Sequence, residues 1–128
     1  ITLAQIQLGF ERMCDLNADI TITEGAGGWR LPLGQGVFLS EFVQANNQQV
    51  ILVVNMKLGC LNHALLTYQA IVNDGLECIG WVANSIEDMP YLDENLAELS
   101  QLLPIPQLAQ FSNISADYAA TQIDISGF

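Results

Sequence analysis

Residues 50–67 read VILVVNMKLGCLNHALLT and predict a strand, a turn and a helix in succession. The first part, residues 50–56, is a continuous apolar run, which is typical of a strand buried on both faces of a parallel sheet. The helix is expected over residues 62–74, where apolar side chains recur at helical spacing and Gly75 follows as a terminating glycine. A strand that leads straight into a helix favours the α/β class.

The same alternation continues on both sides of this stretch. Further strands are predicted at residues 20–23 (ITIT), 76–84 (LECIGWVAN) and 105–109 (IPQLA), and further helices at residues 2–17, 38–46, 91–103 and 115–121. Ligands of parallel sheets bind beyond the carboxyl ends of the strands. Because Glu24 and Lys57 each follow a predicted strand and Asn84 ends one, all three are expected at one rim of the sheet.

The composition predicts a single packed domain over residues 1–128, because 51% of the residues are hydrophobic and only 13% are charged. The formal net charge is -11, and the only basic side chains are Arg12, Arg30 and Lys57. No basic patch can be assembled from three such residues, which excludes nucleic acid and anionic membrane surfaces as expected partners.

The cysteines and the apolar runs predict where the protein works. Cys14, Cys60 and Cys78 are odd in number and widely spaced, so neither a disulfide framework nor a zinc site is expected. The longest apolar run is far too short to span a bilayer, and no signal peptide is visible. We therefore expect a reduced, cytoplasmic protein.

Residues 23–29, TEGAGGW, place one carboxylate beside three glycines. Glycines allow positive φ values and let the backbone approach a ligand closely, and successive N–H groups can hold an anion. A carboxylate is a hard oxygen ligand suited to the Mg²⁺ that accompanies a phosphate. Glu24 with these glycines therefore fits a phosphate-and-metal corner, and equally fits a tight turn with a solvated carboxylate.

Lys57 and Asn62 flank the expected start of a helix. Helix N-termini bind anions through free N–H groups and the helix dipole, so a ligand carboxylate could lie here. The alternative is that Asn62 caps the helix and Lys57 is a solvated surface charge. The sole histidine, His63, is expected on an amphipathic helix, where packing or capping is favoured over catalysis. Cys60 and His63 are close in sequence, but no orienting partner for a nucleophile–base pair is evident.

Asn84 ends the predicted strand GWVAN and offers both a donor and an acceptor, which matches the edge of an adenine base. The alternative is an Asx turn that leaves the strand, and for Asn84 taken alone this alternative is favoured.

Three segments together resemble the dethiobiotin synthetase family of biotin biosynthesis: TEGAGGW, VILVVNMKLGCLNHALLT and GLECIGWVANS. The resemblance implies a parallel-sheet, P-loop-NTPase-like fold with helices on both faces, represented here by its C-terminal portion. It also implies a homodimer that uses ATP and Mg²⁺. The implied reaction closes the ureido ring of dethiobiotin from 7,8-diaminopelargonic acid and CO₂.

The resemblance carries roles onto individual residues of this chain. It implies that Glu24 is a Mg²⁺ ligand. It also implies that ATP or the end of the substrate is contacted by Gly25, Ala26 and Gly27. It implies that the substrate carboxylate is held across a dimer interface by Gly59, Cys60, Leu61 and Asn62. Adenine would be met by Asn84 and Ser85.

The chain also departs from the family pattern. No stretch of the form GxxxxGK[ST] is present, and the family's catalytic lysine and a further metal-binding aspartate belong to the same missing N-terminal half. In the tail, Ser112, Asn113, Ile114 and Asp117 match the adenine-binding loop only loosely. The chain alone is therefore expected to be inactive. Two alternatives stay open: a non-catalytic dimerisation or binding module, and an amidoligase half that acts with a separate chain.

Overall fold

The computed structural model describes residues 1–112. The chain divides into two compact units, Ile1–Gln48 and Gln49–Phe128, and each is described by itself. The interpretation of residues 1–128 as one domain stays a prediction. The expected helix over residues 115–121 and the tail residues Asn113, Ile114 and Asp117 lie outside the described part.

The first unit begins with helix α1 (Leu3–Cys14), and a capping box starts it as the sequence predicts. Thr2 Oγ1 accepts a hydrogen bond from the Gln5 N–H at 3.3 Å, and Gln5 Oε1 accepts one from the Thr2 N–H at 2.9 Å. The helix ends at Cys14, three residues earlier than expected, where Asp15 caps it.

A short hairpin, β1 (Pro32–Gly34) with β2 (Val37–Phe38), precedes helix α2 (Ser40–Ala45). The helix predicted over residues 38–46 is therefore shorter than expected. Phe38 pairs with Pro32 in the hairpin, and its N–H donates to the Glu41 carboxylate at 2.8 Å. Phe38 thus belongs to the strand that leads into the helix.

Side chains from α1 pack against α2. The Phe10 and Phe42 rings meet edge to face with centroids 5.4 Å apart, and Phe42 is buried. The amides of Gln7 and Asn46 exchange two hydrogen bonds, at 2.8 and 3.2 Å. These contacts build the small core of the first unit.

The strand predicted at residues 20–23 is wrong, because the structure assigns no strand there. Ile20 and Ile22 are exposed, and the sheet of the first unit, within the described residues, consists of β1 and β2 alone. β-branched residues favour extended backbone, but a strand also needs a neighbour that pairs with its N–H and C=O groups. Glu24 therefore does not end a strand, and the argument that placed Glu24 at the rim of a parallel sheet no longer applies.

The second unit contains a three-stranded parallel sheet in the order β3 (Val50–Asn55), β4 (Cys78–Ser85) and β5 (Gln107–Ser112). Helix α3 (Cys60–Asn73) connects β3 to β4 and packs against both, and helix α4 (Leu92–Leu102) packs against α3. The predicted α/β class, with a parallel sheet flanked by helices, is confirmed.

One face of this sheet forms the core of the second unit. Leu52 pairs in register with Trp81, and Val54 pairs with Ala83, so these four buried side chains share a face. The helices and loops add further buried apolar side chains, namely Cys60, Ala64, Ile71, Leu76, Leu99 and Leu103.

The prediction that β3 is buried on both faces is wrong within the described residues. Ile51 and Val53 point to the other face and are 46% and 61% exposed. The sheet order also leaves β3 with β4 as its sole ladder partner in residues 1–112. Alternate side chains of a strand face opposite sides, so covering one side leaves the second apolar row exposed.

Helix α3 ends at the glycine that the sequence singles out. Gly75 has φ +80°, its N–H donates to the Val72 carbonyl at 2.9 Å, and the Leu76 N–H donates to the Ile71 carbonyl at 3.3 Å. These two bonds form a Schellman motif, which satisfies carbonyls at the helix end. Gly75 as the terminating residue is confirmed.

Gly80 in β4 is expected to tolerate no side chain. A Cβ atom there would lie 2.5 Å from Leu108 Cγ, so Gly80→Ala forces Leu108 to move and should destabilise the chain by about 1–3 kcal/mol in urea unfolding. Gly9→Ala is the control, because Gly9 lies inside α1 with nothing within 4 Å of an added Cβ, and it should not destabilise. In a Leu108→Ala background the cost of Gly80→Ala should disappear; an undiminished cost would contradict the steric explanation.

Candidate functional site

The carboxyl ends of the three parallel strands meet at one edge of the second unit's sheet. Asn55 of β3, Asn84 of β4 and Phe111 of β5 lie in register, and the Met56 N–H donates to the Asn84 carbonyl at 2.9 Å. The chain turns from β3 into α3 at this edge. The prediction that the residues after β3 and at the end of β4 share a rim is therefore confirmed.

A tight turn over residues 57–60 joins β3 to α3. The Cys60 N–H donates to the Lys57 carbonyl at 2.9 Å, and Gly59 has φ +91° and ψ -1°. These angles are those of the third residue of a type II turn, which glycine adopts without steric cost. Gly59 thus sets the direction in which α3 starts.

The first turn of α3 carries backbone donors that no described group satisfies. The N–H groups of Cys60 and His63 donate to backbone carbonyls, whereas within residues 1–112 those of Leu61 and Asn62 have no hydrogen-bond acceptor. Gly59 is the N-cap and provides no side-chain cap, and the first turn holds no acidic residue. An anion placed here would gain about 0.3–1 kcal/mol per charge from the helix dipole.

The helix starts earlier than the sequence suggests, and this decides one of the alternatives. Because α3 begins at Cys60, Asn62 lies inside the first turn and is not the cap. The side chains of Lys57, Asn62 and His63 are exposed, while Cys60 is buried. An exposed lysine and an exposed amide thus accompany the two free N–H groups.

Asn84 and Ser85 end β4 with different surroundings. Consecutive strand residues face opposite sides of the sheet. Asn84 is half-buried, whereas Ser85 is 6% exposed, and its Oγ has no hydrogen-bond partner in the described part of the chain. An adenine that lies on one face of the sheet would therefore contact the side chain of Asn84 or that of Ser85, but not both.

Sequence reasoning missed Asn55, which lies in register beside Asn84 at the same rim and is exposed. The signal was present, because VVN ends β3 in the same way that VAN ends β4. Two neighbouring amides at one sheet edge offer donors and acceptors to a single ligand.

Two buried side chains of β4, Cys78 and Trp81, have no evident chemical role. Burial raises the pKa of the Cys78 thiol, and hydrogen bonds with the backbone of Gly80 and Leu52 lower that pKa in part. A buried thiol with a raised pKa is unreactive at neutral pH. Trp81 is fully buried, and its Nε1 has no partner among residues 1–112.

The segment TEGAGGW lies in the first unit as an exposed loop. Gly27 and Gly28 both have φ +87°, which accords with the expected use of glycine for positive φ. A Cβ atom on Gly27 would lie 2.8 Å from Leu31 Cδ1, so the loop also passes close to the hairpin. Glu24, Gly25 and Ala26 are exposed and hence accessible to a ligand.

Glu24 contributes a single carboxylate. Among residues 1–112, no group of three or more His, Cys, Asp or Glu side chains could hold a metal ion. Mg²⁺ at a nucleotide is often held through one or two carboxylates, with phosphate oxygens and waters as its other ligands. An exposed Glu24 fits the part of one such ligand.

The predicted site residues thus fall into two sets. Gly59, Cys60, Leu61 and Asn62 lie at the start of α3, on the rim that Asn84 and Ser85 complete. Glu24, Gly25, Ala26 and Gly27 belong to the first unit.

Comparison with known families decides the class of protein. The model of a family described as an AAA domain matches residues 1–117. The chain belongs to this AAA-domain family. Within the described residues, no helix is both long and apolar enough for a bilayer crossing.

The chain is similar to curated proteins named ATP-dependent dethiobiotin synthetase BioD, which confirms the resemblance carried by the three motifs. It is 49% identical to the protein of Cellvibrio japonicus over 122 residues, 92% of this chain and 54% of that relative. The match to the Aeromonas hydrophila protein is 42% over 130 residues, 98% of this chain and 58% of the relative. The chain spans about half the length of the curated relatives it matches.

Proposed function

We propose that this chain is the C-terminal portion of an ATP- and Mg²⁺-dependent dethiobiotin synthetase that works in the cytoplasm. The full protein would convert 7,8-diaminopelargonic acid and CO₂ to dethiobiotin, with ATP giving ADP and phosphate. One substrate amine forms a carbamate, ATP phosphorylates that carbamate, and the second amine attacks the carbon and releases phosphate. The similarity to named dethiobiotin synthetases supports this proposal.

The observation that carries the proposal is the uncapped start of α3. The N–H groups of Leu61 and Asn62 lack acceptors in the described residues, and Gly59 supplies no side chain to compete with a ligand. A carboxylate accepts hydrogen bonds and favours the positive end of a helix dipole. We assign this turn to the carboxylate of the diamino acid, with Cys60 holding the turn in the core.

The remaining residues would bind the nucleotide. The Asn84 side chain can both donate to and accept from an adenine edge. Ser85 would contribute through its backbone, because its buried side chain faces the other side of the sheet. Gly25, Ala26 and Gly27 would let the backbone approach ATP or the reacting end of the substrate. Glu24 would hold Mg²⁺, which supplies neutralisation of the phosphate charge when it is bound.

Asn62→Asp separates ligand binding from folding. In the full-length protein the new carboxylate should repel the substrate carboxylate and raise the KM for 7,8-diaminopelargonic acid by about tenfold or more, since about 1.4 kcal/mol of repulsion suffices. An acidic residue in the first helical turn interacts well with the dipole, so stability should not fall. Steady-state kinetics and urea unfolding of the same variant measure both quantities.

Asn73→Asp is the matched control, because it makes the same change at an exposed position at the opposite end of α3. This variant should leave the KM unchanged. An unchanged KM in Asn62→Asp as well would contradict the carboxylate site.

We further propose a homodimer, in which the start of α3 serves a site shared with the second copy. Apolar side chains on and before α3 support this, because Leu58 is 98% exposed and Leu66 is 55% exposed. Such exposure on one element favours contact with another protein surface.

Light scattering of the full-length protein at tens of micromolar should give the mass of a dimer. Leu66→Glu should shift that mass toward the monomer, because a buried carboxylate at the interface lacks a partner. Leu8→Glu is the control, because Leu8 is similarly exposed at 51% but lies on α1. A monomeric parent protein, or equal behaviour of the two variants, would contradict the proposed interface.

A further inference from the structure

We draw no further inference here: the strongest candidate, the edge of β3 that has no ladder partner within residues 1–112, together with the exposed apolar face of this strand, restates the established position of the strand beside the phosphate-loop strand in the family's larger sheet.

Discussion

In the full-length protein, Glu24→Gln is expected to lower Mg²⁺-dependent turnover by on the order of 10²–10³. The amide keeps the size and shape of the side chain but removes the negative charge that would hold the metal ion. Glu24 is exposed in a loop, so the change should leave the fold and its thermal unfolding unaltered. The measurement is the rate of dethiobiotin formation at several Mg²⁺ concentrations.

Glu98→Gln provides the matched control, since Glu98 is also an exposed carboxylate, on α4, with no assigned role. Its turnover should equal that of the parent protein. Partial recovery of Glu24→Gln at high Mg²⁺ would agree with a weakened metal site. Full activity at low Mg²⁺ would instead make Glu24 a solvated turn residue.

The isolated 128-residue chain is expected to show no ATP hydrolysis and no dethiobiotin formation. It contains no GxxxxGK[ST] loop, and Lys57 is its only lysine, so it lacks the phosphate-binding group that this class of enzyme uses. Calorimetric titration with Mg·ATP should detect at best weak binding. The full-length protein, titrated under the same conditions, is the positive control.

Hydrogen exchange tests the structural reason for the expected inactivity of the isolated chain. The N–H groups of Val50 and Met56 donate to carbonyls at the two ends of β4, so by alternation those of Ile51 and Val53 point to the opposite edge of β3. These two amides should exchange fast in the isolated chain, and slowly in the full-length protein, where a further strand is expected to pair with that edge. Micromolar binding of Mg·ATP by the isolated chain, or any dethiobiotin formed from diaminopelargonate and bicarbonate, would show that the remainder of the proposed full-length protein is not essential. Binding without turnover would favour the alternative of a non-catalytic module.

Local signals predicted several elements because neighbouring residues alone satisfy them. The capping box of Thr2 and Gln5 starts α1, and Gly75 ends α3, since both devices pair backbone groups within a few residues. The strand β4 was also predicted to within two residues, because its apolar run pairs on both sides, with β3 and β5.

The candidate site was predicted in part. The rim that joins the start of α3 to Asn84 followed from the rule for parallel strands. The position of the helix cap could not be predicted, because asparagine is a common capping residue and Asn62 was therefore expected to start the helix. Only the left-handed backbone of Gly59 shows that α3 begins at Cys60, two residues before Asn62. Asn55 was missed because its importance depends on register, which pairs it with Asn84 across two strands that are distant in sequence.

The sequence by itself determined the class of fold, the family motifs and the chemical types at the site, because apolar periodicity and glycine positions act over short ranges. Only the tertiary structure decided which extended segments become strands and which apolar rows are buried. Residues 20–23 are rich in the β-branched residues typical of strands, yet they form no strand. Val53 has an apolar side chain typical of a core, yet it is exposed. The physical reason is the same in both cases: pairing and burial need a second segment at the right place, and a residue's own chemistry cannot supply that partner.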